Sequence, residues 1–569
     1  MKTSYVDLGQ LEERAVSPIV LPEAMSAKNS EGTMRSADWL ELIVDIPAVT
    51  STRWESYSDE VASQFPFGQI WEGLSEKFWK IIANEMNCVH LSDMAIACLK
   101  RDLALQLSHI CSVPIWEFYQ KVILCKAPYL MNSEIATSGA YEYFYAFLWK
   151  GGLREFYTEY HVVADRCLRL LSLWSSSVAK FISDFCVDLD SLRREFVIGD
   201  KIAITGLNMR LSDMHNGGKS VIGVEIGGEN GVVILYKPKN LGPEVLFRNI
   251  LRTLGEPARA FDCANTLNCG DHGWVSRVKH CCAKNNSDIE DYYKKAGAVL
   301  CVSYVLRLTD LHAENIIAQG NTPQLIDMEA MFHPFFIGDD SSFTVLSTGL
   351  LPPNSLDHTD IFGLTAIGGE TSKVLHCRWK DLEKNNVRPE FVEGKFAVLD
   401  NLPTLDGKRI SAHSYVDCIC DGFSIAYEAL SRNARSVSDI ILDALQDDAF
   451  EVRVIPRSTM QYSLILRNLA IYHYRDIKSA RSYIEEALVQ GLYYPALGDE
   501  NIRRAEIDAL ERLDVPCFRA RIKMGDIAEY MATINKIDID IERFMVGTVF
   551  NMSVTDKNRQ IQLIRESFL

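Results

Sequence analysis

The stretch that most constrains this chain is Thr309-Asp-Leu-His-Ala-Glu-Asn315, which an apolar run joins to Leu325-Ile-Asp-Met-Glu329. Asp310, Asn315 and Asp327 have the spacing by which phosphoryl-transfer sites orient a substrate hydroxyl and hold the magnesium ions of a nucleotide. A solvated acidic loop is the alternative that spacing alone leaves open. The motif therefore predicts a site that uses ATP and Mg2+.

Each side chain of this motif has a predicted part. Asp310 orients or deprotonates the hydroxyl, and Asn315 and Asp327 bind Mg2+ through hard oxygen atoms. Glu329 lies two residues beyond Asp327 on a segment predicted to be extended, so both carboxylates point the same way and can share the metal. His312 lies in the same loop, where chemistry alone gives it no proton-transfer role.

The bulk properties narrow the class of partner. The formal net charge of -17 repels nucleic-acid phosphates and anionic membrane surfaces, so a polyanionic ligand needs a local basic pocket. The N-terminus lacks the apolar core of a signal peptide, and no apolar run approaches the roughly 20 residues that span a bilayer. The 15 cysteines are odd in number and irregularly spaced, which indicates reduced thiols and no metal site built on sulfur. We expect a soluble cytoplasmic protein that binds neither nucleic acid nor membrane.

The hydrophobic periodicity predicts an α+β fold that is mainly α. Apolar residues recur at three and four from about 70 to 195, which indicates helices. Three β-rich runs and two helices follow, and helical patterns resume after 415; the predicted elements are strands Lys201–Asn208, Ser220–Ile226 and Gly231–Lys237, and helices Pro243–Leu254, Ile289–Leu306, Tyr415–Ser431 and Asn558–Phe568. Strands, a helix and then a helical part that carries the Asp/Asn loop follow the order of a bilobal kinase-like core, with a small β-containing N-lobe and a helical C-lobe.

We place the domain boundaries by these changes of period. The first 35 residues show no firm period and are predicted to be a loosely ordered lead-in. The predicted domains are a helical N-terminal region, a kinase-like N-lobe, a kinase-like C-lobe with the catalytic and metal motifs, and a helical C-terminal region, over residues 1–195, 196–260, 261–400 and 401–569.

Lys237 ends the third predicted strand, where a kinase-type site places the lysine that binds nucleotide phosphates. Its predicted ion-pair partner on the next helix is Glu244, although a lone strand lysine is more often a solvated edge residue. Gly217 and Gly218 lie between two strands and suit a hairpin tip that approaches the nucleotide, or an ordinary glycine turn. The P-loop interpretation of Asn216-Gly-Gly-Lys-Ser220 fails, because that motif needs glycine where this chain has Asp213.

Six segments together resemble the N-terminal dehydratase domain of class II lanthipeptide synthetases, in matching order. These are Tyr236-Lys-Pro-Lys239, Gly273-Trp-Val275, Tyr292-Tyr-Lys-Lys-Ala-Gly297, Thr309 to Asn315, Leu325 to Glu329 and Ser347-Thr-Gly-Leu-Leu-Pro352. The likeness extends back to Asp213-Met-His-Asn-Gly-Gly-Lys219 and forward through Arg453 to Leu513-Asp-Val-Pro516. Together these segments cover about residues 200 to 568.

The resemblance implies a lipid-kinase-like enzyme that phosphorylates Ser and Thr of a ribosomal precursor peptide, leader plus core, and then eliminates the phosphate. It assigns phosphoryl transfer to Lys237, Asp310, Asn315 and Asp327, with His312 and Glu329 in the same site. Elimination is assigned to Arg453 and Thr459, and Asp213 and His215 match the acidic hairpin of the family.

Two further expectations come from the family pattern. The chain contains no Cys-His-Gly motif of the zinc cyclase domain, so we expect a stand-alone dehydratase whose product is cyclised by a separate cyclase or tailoring enzyme, or spontaneously. Lys239 stands where arginine is usual. A peptide kinase that stops at the phosphate and a non-catalytic, pseudokinase-like peptide scaffold are the alternative functions.

Overall fold

The computed structural model describes residues 43–44, 64–83, 90–131, 137–196, 198, 202–227, 231–255, 264–333, 343–352, 362–365, 371–395, 398–489, 500–521 and 548–569. Within them the chain is α+β and mainly helical, which confirms the predicted fold class. The predicted lead-in of the first 35 residues lies outside the described residues.

The N-terminal region is helical, as its periodicity predicts. Its helices are α1 Gly68–Ala83, α2 Asp93–Lys126, α3 Gly139–Phe147, α4 Leu153–Glu159 and α5 His161–Phe196. By length and composition alone α5 could cross a membrane, but 56% of its most apolar window is buried inside the protein. Phe181 and Phe185 of α5 pack on the ring of Trp274, with centroid separations of 6.3 and 5.9 Å. This packing is typical of a core helix.

A five-stranded antiparallel sheet follows, with strand order β1-β2-β3-β5-β4. Its strands are β1 Ile204–Asn208, β2 Ile222–Ile226, β3 Val232–Lys237, β4 Thr266–Asn268 and β5 Gly273–Ser276. The first three strands confirm the prediction. The two others lie between the predicted helices Pro243–Leu254 and Ile289–Leu306, where no strand was predicted, because three- and four-residue strands rich in polar residues and glycine give no clear alternation.

Helix α6, Gly242–Thr253, connects the sheet to the second part of the molecule, where α7, Asn286–Val305, is the central helix. The Asn285 side chain caps α7 by accepting from the Asp288 amide at 3.0 Å. Helix α8, Val416–Arg432, packs closely on α7 because Gly297 and Gly422 face the partner backbone. A β-carbon at these glycines would meet the carbonyls of Ile419 and Lys294 at 2.0 and 1.8 Å.

The remaining elements are short. The strands are β6 Ile316–Gln319, β7 Thr322–Leu325, β8 Thr371–Lys380, β9 Arg388–Lys395, β10 Thr404–Leu405, β11 Lys408–Arg409, β12 Glu451–Val454 and β13 Phe518–Arg521. The helices are α9 Ala434–Ala444, α10 Thr459–Ile471, α11 Ile477–Ala487, α12 Glu500–Glu511 and α13 Val554–Glu566. The pairs β8–β9 and β12–β13 were not predicted from the sequence, whereas α8 and α13 confirm predicted helices.

Two large hydrophobic cores organise the chain. One combines the N-terminal helices with the inner face of the sheet, including Phe181, Tyr236 and Trp274. The other extends from α6 through α7, α8 and β12 to α13. The sheet thus shares a core with residues before 195, and α6 belongs to the core that follows. The predicted domain boundaries remain a prediction, and the candidate site lies where residues from the two cores meet.

Candidate active site

Lys237 ends the central strand of the sheet and is only 5% exposed, so it is not a solvated edge residue. Its ammonium group donates to the carbonyl oxygen of Ile326, directly before Asp327. The predicted ion pair with Glu244 on α6 is confirmed, with 3.6 Å between Nζ and Oε1. The β-strand lysine and the helix glutamate therefore have the relative arrangement that phosphoryl-transfer sites use.

Lys239 is a site residue that the sequence reasoning missed. Its Nζ contacts the Asp327 carboxylate and lies 3.2 Å from Oε2 of Glu329 and 3.4 Å from Oε1 of Glu244. Burial alone lowers the pKa of Lys239, but Asp327, Glu244 and Glu329 raise it above its ordinary value. The signal available in the sequence was its position two residues after Lys237, beyond the end of β3, where the chain bends and the Lys239 amide donates to the Lys237 carbonyl at 2.8 Å.

The two carboxylates predicted to share a metal do converge. Burial favours a raised pKa for Asp327, but Lys239 and Lys237 hold it below its ordinary value. The pKa of Glu329 is also held well below its ordinary value, because Lys239 and Arg453 outweigh the effect of burial. Both side chains are therefore anionic at neutral pH.

The Asp310 loop lies beside these carboxylates. Asp310 has a backbone φ of +66°, in the left-handed region that a non-glycine residue occupies at a cost and often at functional sites. Asn315 Nδ2 donates to the Asp310 carbonyl at 2.7 Å and lies 3.3 Å from His312 Nε2. Because Nδ2 is used in this way, the amide oxygen of Asn315 is left for a metal. Burial raises the pKa of Asp310, with His312 and Arg453 opposing that effect.

A mostly apolar cavity, partly open to solvent, adjoins Lys237 and Glu244. It lies between the sheet, α6 and the strands β6 and β7. Its walls include Leu235, Phe247, Val275, Ile317, Leu325 and Met328. Apolar walls with charged groups at one end match the chemistry of a flat apolar ring that carries a charged tail.

Arg453 lies on the other side of Glu329, on strand β12 and not in a helix as its surroundings in the sequence suggested. Its NH1 donates to Glu329 Oε1 at 2.7 Å, and its backbone amide donates to the Glu329 carbonyl at 2.7 Å. Arg519 on β13 donates from NH2 to Glu329 Oε2 at 3.2 Å and from NH1 to Glu451 at 3.2 Å. Arg519 was not predicted, since no local motif marks it.

His215 is buried and faces the same cationic groups. Burial and then the charge of Arg453 lower its pKa to about 4, which leaves it neutral at pH 7. Its Nδ1 lies 2.9 Å from the Asp213 carbonyl oxygen. Because a carbonyl can only accept, the proton resides on Nδ1 and Nε2 keeps its lone pair. His215 is therefore a neutral imidazole with one basic nitrogen.

The glycine hairpin around His215 is confirmed, since His215 and Lys219 exchange backbone hydrogen bonds of 2.9 Å. The amides of Gly217 and Gly218 donate to the Asp514 carboxylate at 2.6 and 3.2 Å. Successive amides that hold an anion form an anion-binding turn, here occupied by a carboxylate of the same chain. The predicted contact of these glycines with a nucleotide stays a prediction.

The two other predicted residues, Thr459 and Asp213, are more exposed than Lys237 and Glu329. Thr459 is the first residue of α10 and is half-buried, six positions after Arg453. Asp213 is exposed and accepts from the Ser463 hydroxyl of the same helix at 3.2 Å. Helix α10 and the hairpin thus lie side by side, although the contacts described for Glu329 do not include Thr459.

A second group of possible metal ligands, Asp188, Cys269 and His272, lies within 4.8 Å on the inner side of the sheet. His272 Nε2 and Trp274 Nε1 both lie 2.7 Å from Asp188 Oδ2, and His272 Nδ1 lies 2.7 Å from Asp271 Oδ1. These hydrogen bonds account for the cluster without an ion. All cysteines in the described part of the chain are free of disulfides, as predicted.

Comparison with known proteins gives two matches. The family model described as "Domain of unknown function (DUF4135)" matches residues 160–521. The Lacticin 481/lactococcin biosynthesis protein LcnDR2 of Lactococcus lactis subsp. lactis is 28% identical over 426 residues, which are 68% of this chain and 44% of that protein. The chain therefore spans less than half the length of this relative. The resemblance to class II lanthipeptide synthetases is confirmed.

Proposed function

Because the chain belongs to the DUF4135 family, we propose that it is a lanthipeptide-type dehydratase with a lipid-kinase-like bilobal core. In this proposal it uses ATP to phosphorylate Ser and Thr of a ribosomal precursor peptide, and then eliminates the phosphate to leave dehydroalanine or dehydrobutyrine. The relative's part in lacticin 481 biosynthesis supports this role, and the cytoplasm is the compartment that we propose for it.

The observation that carries the proposal is the position of Glu329. One of its oxygens lies 2.7 Å from Arg453, which the family pattern assigns to elimination. The other lies 3.2 Å from Lys239, which also contacts Asp327 of the predicted metal set. Groups proposed for adding phosphate and for removing it therefore share one carboxylate, and a peptide side chain can meet both sets without leaving the site.

The first step depends on positioning and charge. Asn315 and Asp327, with Glu329 behind them, are the residues suited to hold Mg2+, which neutralises phosphate charge when bound. Glu244 has both oxygens buried without a hydrogen bond, so it holds Lys237 and Lys239 by charge alone. Lys237 adjoins the apolar cavity, which is where the proposal places the adenine ring. Asp310 then accepts the proton of the Ser or Thr hydroxyl as the hydroxyl oxygen takes the γ-phosphoryl group of ATP and ADP leaves.

The second step is a β-elimination. The α-proton passes to a base, the C–H electron pair forms the Cα–Cβ double bond, and the Cβ–O bond breaks so that its electrons leave with inorganic phosphate. His215 Nε2 carries a lone pair and is the group that we propose as the base. Arg453 stabilises the leaving dianion because its guanidinium forms charge-assisted hydrogen bonds with phosphate oxygens.

The experiment is coexpression of the full chain with candidate precursor peptides, which are short Ser- and Thr-containing sequences encoded by neighbouring genes, followed by mass spectrometry. Dehydration lowers the peptide mass by about 18 Da per residue, whereas phosphorylation alone raises it by about 80 Da. We expect the loss. A peptide that only gains mass would reduce the function to that of a kinase, and an unmodified peptide without ATP turnover would favour a binding scaffold.

A further inference from the structure

Arg519 lies on β13, the last strand in the described part of the chain, and its side chain reaches the site. Strand β13 pairs antiparallel with β12, and Arg519 is the register partner of Arg453. Residues directly opposite in an antiparallel pair have their side chains on the same face, with β-carbons about 5 Å apart. The two guanidinium groups therefore leave the sheet side by side, and the Arg519 side chain is only 10% exposed.

Two adjacent, largely buried cations need an anion between them, because each is costly to remove from water and they repel each other. Glu329 supplies it, with Oε1 2.7 Å from Arg453 and Oε2 3.2 Å from Arg519. Glu451 neutralises Arg519 from the side, at 3.2 Å. The arginine pair thus forms a preformed clamp for a small planar or tetrahedral oxyanion.

We propose that Arg519 is a second phosphate-binding residue, which together with Arg453 holds the phosphate of the phosphorylated peptide as it leaves. The inference rests on the proposed function, and it adds a residue that lies 66 positions from Arg453 and in no motif. A phosphate dianion carries more charge than one carboxylate and offers several oxygens to the two guanidinium groups. It can therefore replace Glu329 between the arginines. In the elimination, Arg519 stabilises the oxygen that receives the electrons of the broken Cβ–O bond.

The cationic residues around Glu329 fall into two groups by position. Lys237 and Lys239 contact Ile326, Asp327 and Glu244, on the side where we propose that the nucleotide binds. Arg519 has no described contact with that side except through Glu329. Loss of Arg519 should therefore affect phosphate release from the peptide and leave phosphate addition largely intact.

The test separates the two steps. A synthetic peptide with phosphoserine, in the precursor sequence that the wild type dehydrates, is supplied without ATP, and released inorganic phosphate is measured. We expect Arg519→Gln to slow release about 10²-fold, and Arg519→Lys to recover part of the rate. With ATP and unmodified peptide, Arg519→Gln should accumulate the phosphorylated form. Arg481→Gln, which removes an exposed arginine paired with Glu485 and Glu511, is the matched control and should behave as wild type.

A second readout does not depend on the peptide. Binding of inorganic phosphate, followed by broadening of its ³¹P NMR signal, should weaken in Arg519→Gln and in Arg453→Gln but not in Arg481→Gln. The inference is overturned if folded Arg519→Gln releases phosphate at the wild-type rate, or if phosphorylation falls as much as elimination does. A wild-type enzyme that phosphorylates peptide without ever releasing phosphate would instead overturn the proposed function.

Discussion

The two sides of Glu329 differ in how the chain supplies them. On the lysine side, Lys237 and Lys239 come from the end of β3 and Asp327 comes from a loop 88 residues beyond Lys239, and carboxylates face ammonium groups. On the arginine side, Arg453 and Arg519 come from two short strands that pair across a long separation. Carboxylates suit a metal and paired guanidinium groups suit a leaving phosphate, so one shared carboxylate joins two kinds of chemistry.

The largest effect should come from Asp310→Asn, which tests whether phosphate addition can be lost while phosphate release is kept. Asparagine tolerates the left-handed backbone of this position, so the loop should keep its shape. Without a carboxylate to accept the hydroxyl proton, ATP-dependent phosphorylation should fall about 10³-fold. Phosphate release from a supplied phosphopeptide should remain within a few-fold of wild type. Equal loss of both steps would remove the division that we propose.

The next effect, Arg453→Ala, tests the arginine side. Release of phosphate should slow about 10²-fold, while phosphorylation continues, so that peptide about 80 Da heavier than the precursor accumulates. The measurement is the ratio of phosphorylated to dehydrated peptide over time by mass spectrometry. Arg481→Ala serves as the control, since that arginine makes only surface ion pairs. If no phosphorylated peptide builds up, Arg453 has no special part in elimination.

The sequence predicted the elements on the lysine side of Glu329 better than those on the arginine side. The first three strands, α6 and α7, the Lys237–Glu244 pair and the convergence of Asp327 with Glu329 followed from local periodicity and short spacings. Strands β12 and β13 did not, because each has four residues lying among helical patterns. Their partner lies some 66 residues away, and local propensity does not encode such a pairing.

Arg453 was assigned from family resemblance, and the structure replaces its predicted helical setting by a strand. Arg519 could not be found either way. Lys239 was visible as a departure from the family pattern, but its charge partners only became evident once α6 and the Asp327 segment were brought together. The hairpin β8–β9 was likewise missed. Apart from local pairings such as this hairpin, what remained hidden was long-range pairing, together with the side chains that it brings into the site.

A smaller effect concerns His215, whose pKa of about 4 lies below the ordinary value of 6.5. Between these values the unfolded chain binds the proton more readily than the folded chain, so this contribution to stability is present above pH 6.5 and is lost as the pH falls toward 4. When the pH is lowered from 7 to 5, the unfolding free energy of His215→Gln should therefore fall by about 2 kcal/mol less than that of the wild type.

Urea unfolding at the two pH values measures this difference. His413→Gln, at an exposed histidine, is the control and should follow the wild-type pH dependence. His333 is also buried and its pKa is lowered to about 4, so His215→Gln should reduce the loss of stability in acid without abolishing it. An unchanged difference between pH 7 and pH 5 would mean that His215 is accessible to protons in the folded protein, contrary to its burial beside Arg453.

The smallest effect is expected for Asp514→Asn, which tests whether the glycine hairpin acts in elimination or in nucleotide binding. Asparagine can still accept from one of the Gly217 and Gly218 amides but turns an N–H toward the other, so unfolding free energy should fall by about 1 kcal/mol. Asp406→Asn, in an exposed turn, controls for the lost charge. Because Val515 donates to the Met214 carbonyl beside His215, we expect elimination to slow before phosphorylation does. A selective loss of phosphorylation would instead place Gly217 and Gly218 over the nucleotide, as the sequence first suggested.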